Sequence, residues 1–265
     1  MADSGQGLGR SPFSRPGLAV SALVVALTLA LGGTSGCASG TSTSTDTEVT
    51  TVSPSTATSS PDGSTEPASA AATNSGPRNE SDSICGLEGV VLEGTVTEAP
   101  EAEWAYHGTA AYPTSPVYGP GAIDAEDNFS YCFQHSPEGA VFAAASILAQ
   151  PFDVRTSTSW FDYLVAEGPH RDYLLAPPET PSPYSGAPLD SIDAKVVGFR
   201  LLAYDGSTAK VDVALEATYG AKTIYQSSIH DLVWQNGDWR LSSETESPVV
   251  SGTIANLSGY ILWTN

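Results

Sequence analysis

Apolar positions recur with two different periods in the second half of the chain. Val141, Phe142, Ala145, Leu148 and Ala149 fall at i, i+1, i+4, i+7 and i+8, the spacing of one helix face. Ser136 before them is a good N-cap. Pro137 suits the first helical position, and Glu138 lies where the helix dipole favours an anion. Gln150-Pro151 closes the run, so a helix is predicted over 137–150. A second helix is predicted over 157–167, carrying Trp160, Phe161 and Leu164 and ended by Gly168-Pro169. A short third piece covers 172–175, before a loop marked by Pro177, Pro178, Pro181 and Pro183.

From Ile192 the period changes to two. Val197, Phe199, Leu201 and Ala203 are assigned to one strand face, and Asp205-Gly206 to a turn. Val211, Val213, Leu215 and Ala217 line the next strand, with Lys210, Asp212, Glu216 and Thr218 on its other face. That alternation belongs to a half-buried antiparallel strand. A third strand is predicted over 222–235. Asn236-Gly237 then marks a type I′ hairpin returning through Asp238-Trp239-Arg240-Leu241. Helices followed by a meander imply an α+β domain with its helices on one face of the sheet.

The N-terminal third has neither period. Arg10 and Arg15 precede an apolar stretch over 18–31, followed by small residues up to Cys37. A basic start, a short apolar core and small residues describe a secretory signal. At 1.5 Å per residue this stretch would reach about 21 Å, short of a roughly 30 Å hydrocarbon layer. Thr34-Ser35-Gly36-Cys37 resembles a bacterial lipobox, which implies a signal peptide over 1–36 and a lipid anchor on Cys37. A single uncleaved N-terminal transmembrane span and plain secretion are the alternatives. Residues 38–83 contain 22 Ser or Thr and no aromatic. Such a segment cannot bury enough apolar surface to offset its ordering entropy, so 37–83 reads as a disordered, lipid-anchored linker. The folded domain is placed at 84–265.

Cys85 and Cys132 remain once Cys37 is assigned to the anchor. An oxidising compartment favours their pairing, with two buried thiols as the alternative. The stretch between them contains Trp104, Tyr106, Tyr112, Tyr118 and several Pro and Gly residues. It reads as an irregular flap packed on the core, with a ligand-binding surface as the competing reading. Asp124, Glu126, Asp127 and Asn128 lack the spacing of a calcium loop.

Tyr131 to Ala140 with the Ala-rich helix after it, Gly119-Pro120, the Asp231–Leu241 hairpin and the closing Gly259-Tyr260-Ile261-Leu262-Trp263 together resemble an uncharacterised actinobacterial extracytoplasmic domain family. That family is associated with integrative conjugative elements. The resemblance implies a nuclear-transport-factor-like (NTF2-like) cone, in which N-terminal helices pack on a curved antiparallel sheet. Such cones occur in scaffolds of conjugation and type IV secretion. Those scaffolds keep an uncleaved membrane span where this chain has a lipobox-like sequence.

Ten Lys+Arg against thirty Asp+Glu give a net charge of −20, which excludes the clustered cations of a nucleic-acid-binding surface. No nucleophile elbow, phosphate loop, dinucleotide fingerprint or paired-His metal motif is present, and no cofactor is implied. The expected function is a membrane-tethered, extracytoplasmic protein-binding scaffold with an envelope partner. The alternative is a small-molecule binder or enzyme using a cone cavity, with His230, His135 and Trp234 as its candidate residues. His230 and Asp231 are strand neighbours, so their side chains point to opposite faces and form no ready dyad. Trp234 and Trp239 flank the hairpin and read as packing residues first.

Overall fold

The computed structural model describes residues 82–176 and 192–264. Cys37, the predicted signal and almost all of the predicted linker lie outside the described residues. Among those described, no helix is long and apolar enough to cross a membrane.

The described residues begin their regular structure with strands. β1 (Glu103–His107) and β2 (Ala110–Thr114) form an antiparallel hairpin, and β3 (Ala122–Asp124) and β4 (Phe129–Tyr131) form a separate one. The helix α1 (Pro137–Ala149) follows, with short helices α2 (Trp160–Leu164) and α3 (Arg171–Leu175) behind it. Three long strands then make the meander: β5 (Asp193–Tyr204), β6 (Thr208–Tyr219) and β7 (Lys222–Gln235). β8 (Asp238–Leu241) and β9 (Val249–Ile254) share the free edge of β7, and β10 (Ile261–Leu262) joins the opposite edge of β5.

This topology overturns the expected NTF2-like α+β cone. Strand makes up 42% of the described residues and helix 15%, so the domain is a curled mixed sheet, a half-barrel with few helices. Four strands precede the first helix, and β2 runs parallel to β5 through Ala110↔Ala194 and Ala111↔Lys195. The first hairpin carried no legible strand signal. Its second strand, Ala-Ala-Tyr-Pro-Thr, has four buried residues in succession and a proline, so it lacks alternation. Pairing with β1 and β5 supplies what local propensity does not.

The helix also sits differently. Every residue of α1 except Glu138 is buried, where the sequence predicted one apolar face. Ser146 and Ile147 on the far side meet β4 and α2. An Ala-rich helix that is apolar all round belongs in an interior, and here it fills the concave side of the sheet. Its start is as predicted: the Ser136 hydroxyl accepts the Gly139 N–H at 3.0 Å. A Cβ on Gly139 would lie 1.9 Å from the Gln134 carbonyl oxygen, so only glycine allows that approach.

On β6 the expectation holds, since Val211, Val213, Leu215 and Ala217 are all buried against the core. β5 departs from it. Register shifts between Val196 and Gly198 and between Leu201 and Ala203 change the strand's parity twice. Val196, Phe199 and Leu201 therefore face inward with Tyr204, and Val197 and Ala203 do not join them. A bulge inserts one residue and flips every later side chain to the other face.

One buried carboxylate ties these parts together. Asp238 follows the Asn236-Gly237 turn, whose two positive φ values (57° and 80°) match the predicted hairpin type. Its carboxylate accepts the backbone N–H of Cys132 at 2.7 Å, of Phe133 at 2.8 Å and of Trp239 at 2.9 Å, and the Tyr163 hydroxyl at 2.6 Å. Burial pushes its carboxyl pKa up, against the pull of those donors. Asp238→Ala should cost on the order of 3–5 kcal/mol in urea denaturation, because it strands buried N–H groups. Asp238→Asn, which keeps one carbonyl acceptor, should cost less. A loss below about 1 kcal/mol for Asp238→Ala would remove this network from its structural role.

Candidate functional site

Two strands share the outer edge of β5. β2 pairs with Ala194 and Lys195, and β10 takes over at Gly198 and Phe199. Where they part, a cleft of about 660 Å³ opens between residues 99–104, 115–118 and the terminal Trp263-Thr264. Three aromatic side chains line it. Trp104 sits on β1 opposite Pro113, with the Lys195 ammonium 4.4 Å above its ring. Tyr118 stacks on Phe142 of α1 at 5.7 Å. Trp263 packs on Phe142 and Phe199 with ring centroids 6.0 and 4.7 Å away. Glu101, Glu103 and Val117 stand exposed among the lining residues.

Local structure fixes these walls. Ser115 and Gly119 exchange two backbone hydrogen bonds of 2.9 Å, and the Ser115 hydroxyl accepts the N–H groups of Val117 and Tyr118. The Tyr118 carbonyl accepts the Gln134 N–H, and Gly121 donates to the Cys132 carbonyl. Cys85 and Cys132 are joined in a disulfide with Cα atoms 5.9 Å apart. The bridge therefore anchors the loop that carries Tyr118, and the stretch read as an irregular flap forms one wall of the cleft.

The buried face of Trp263 has an unmet need. Its indole N–H is buried and has no acceptor among the described residues. The cleft itself offers aromatic surface and two carboxylates. Its lining includes no His or Cys.

The residues predicted for a cavity lie elsewhere. His135 and Trp234 do meet, stacked at 3.9 Å with planes 7° apart, and Trp239 meets His135 edge-on at 5.7 Å. His135 also pairs through Nε2 with the Gly206 carbonyl. This cluster joins the α1 entry to the β5–β6 turn as packing. His230 lies on the same face of β7, fully buried. The concave side that a cone would leave open is filled by α1. A hollow between α1, α2 and β4 is about 10 Å³, room for one water at most.

The sequence drew attention to Trp104, Tyr118 and the Trp263 segment without joining them. Glu101 and Glu103 went unremarked. The available signal was the run Pro100-Glu101-Ala102-Glu103-Trp104, two acids beside an aromatic. No spacing rule brings residues 100, 117 and 263 to one place.

Two buried histidines should make the domain acid-sensitive. Burial lowers the pKa of His230 from 6.5 to about 4, outweighing the carboxylates of Asp212 and Asp231 and the carbonyls of Ser228 and Val211. Burial lowers His107 likewise to about 4, opposed by Asp153, while its ring stacks on Tyr112 at 4.2 Å. Above pH 6.5 both rings are neutral whether folded or not. As pH falls towards 4 only the unfolded chain takes up the protons, so stability is lost in that window. Each ring should cost about 2 kcal/mol at pH 5 relative to pH 7. Urea denaturation at the two pH values should show this loss, and the double variant His107→Phe, His230→Leu should lose less than half as much. An equal loss in that variant would assign the sensitivity to other groups.

No curated protein and no solved structure matches the chain. Residues 65–262 match the family described as Domain of unknown function (DUF8175), a span that includes two of the three walls of the cleft and stops just before Trp263-Thr264. By that match over most of its length, the chain belongs to the DUF8175 family.

Proposed function

We propose that this chain is an extracytoplasmic binding domain, held at the membrane by lipid on Cys37 and lifted from it by the 37–83 linker. It engages an envelope protein through the Trp104–Tyr118–Trp263 cleft. The observation that carries this reading is the placement of α1. The helix fills the concave face of the sheet, so the open aromatic surface lies at the divided edge of β5. The net charge of −20 supports a partner other than nucleic acid. The proposal does not extend to conjugation.

A photo-crosslinking amino acid at Val117, which is 52% exposed on the cleft, tests the surface directly. In cells, it should yield adducts with an envelope protein, while the same probe at Thr223 on β7 should not. Equal labelling from both positions would discard the cleft as the binding surface. For the anchor, Cys37→Ala should abolish lipid labelling and leave an unprocessed precursor. Undiminished labelling of that variant would place the anchor elsewhere.

A further inference from the structure

We propose that the Cys85–Cys132 disulfide is a site of reversible thiol–disulfide exchange. Cys85 takes up an external thiol as a mixed disulfide, and Cys132 is the leaving and resolving thiol.

The two sulfurs stand in different surroundings. Cys85 is exposed, whereas Cys132 is fully buried. Cys85 sits in a tight turn closed by the Gly86 N–H on the Ser83 carbonyl at 3.0 Å. Gly86 beside it and Gly121 across from it are both exposed. A Cβ on Gly121 would lie 2.6 Å from Cys85 Sγ and 3.4 Å from Cys132 Sγ, so the glycine leaves the bridge uncovered on that side. Access decides which sulfur an incoming thiolate attacks, and here it selects Cys85.

The same turn prepares the other sulfur to leave. The buried Ser83 hydroxyl lies 2.9 Å from Cys132 Sγ. A disulfide sulfur carries no proton, so the hydroxyl is the donor. The Cys85 backbone N–H donates to the same sulfur at 3.2 Å. Both bonds strengthen as negative charge develops on Cys132, and a leaving thiol of lower pKa departs faster. The Asp238 carboxylate, which binds the Cys132 N–H, opposes that charge, but it is already shared among four donors.

Opening the bridge does not release either segment. The Cys132 N–H stays on Asp238 at 2.7 Å, and its carbonyl accepts the Gly121 N–H at 2.7 Å. The turn bearing Cys85 is tied to the β7–β8 hairpin by the Ile84 N–H on the Gly237 carbonyl. None of these bonds passes through sulfur, so the two thiols remain apposed. A bridge that served only as a staple would need neither an exposed sulfur nor two donors on its partner.

In the forward step the external thiolate bonds to Cys85 Sγ, the Cys85–Cys132 bond breaks, and its electron pair leaves on Cys132 Sγ. One disulfide replaces another, so no separate oxidant or reductant enters. In reverse, the Cys132 thiolate attacks Cys85 Sγ, closes the bridge and expels the thiol.

The test incubates the full chain in detergent with reduced glutathione, quenches in acid and maps the adducts by mass spectrometry of a digest. Glutathione should appear on Cys85 and not on Cys132. Opening should be first order in glutathione and indifferent to urea below the unfolding transition. Ser83→Ala should slow opening about 3-fold, the effect of raising the leaving thiol's pKa by roughly one unit. Glutathione on Cys132, an unchanged rate in Ser83→Ala, or opening that rises with urea and levels off at the unfolding rate would each overturn the exchange site. In cells, folded Cys132→Ser should accumulate an adduct on Cys85, because nothing resolves it, and its mass separates a small thiol from a protein cysteine. Absence of any adduct on that folded variant would overturn the site as well. If Cys132→Ser does not fold, the glutathione kinetics of the unmodified chain and of Ser83→Ala decide alone.

Discussion

The carboxylate of Asp238 is the point at which three separate parts of the chain are held in register. It takes N–H groups from Cys132 and Phe133, which lead into α1, and a hydroxyl from Tyr163 on α2. It sits itself on the β7–β8 hairpin. Cys132 adopts a φ of +70°, a conformation that L-residues seldom take, and the disulfide to Cys85 holds the same residue from the other side. Ile84 then donates to the Gly237 carbonyl at 2.8 Å, so the segment leading to Cys85 is tied to the same hairpin. A buried acid without donors would be costly. Surrounded by four of them, it becomes the joint between the loop region and the sheet.

The position of α1 follows from that joint. The helix begins immediately after the Asp238-bound residues and runs through the concave side of the half-barrel. With Ala at five of its positions it has little bulk, so β2, β5 and β6 on one side and β4 and α2 on the other can close around it. The interior is thereby filled with helix. What would be a chamber in an open cone becomes a core, and recognition is displaced to the surface.

The outer face of the sheet carries a second polar joint with a different consequence. Asp212, fully buried on the face of β6 expected to be solvated, accepts the Ser227 hydroxyl at 2.7 Å and the Tyr260 hydroxyl at 2.9 Å and pairs with Arg200. Arg200 in turn lies over the Tyr260 ring at 4.4 Å. This cluster pins the C-terminal segment to the sheet. Alternation along that segment then sends Tyr260 outward to Asp212 and Trp263 inward to Phe199. The cleft wall built by Trp263 therefore depends on a salt bridge on the opposite face of the sheet.

The sequence by itself determined the elements whose stability is local. The Ser136 cap, the Pro137 start of α1, the Asn236-Gly237 turn and the alternating face of β6 each depend on a few neighbouring residues, and each is found where the pattern places it. The pairing of Cys85 with Cys132, expected from the number of cysteines, is found as a disulfide. Only the tertiary structure decided the rest. The strands β1 and β2 exist through pairing with β5, the bulges of β5 through its register with β6, and the burial of the far side of α1 through the sheet's curl. Trp104, Tyr118 and Trp263 meet because two strands divide one edge, a long-range fact that no periodicity records. Sequence pattern reports which side a residue prefers within its own element. It does not report which distant element will stand across from it.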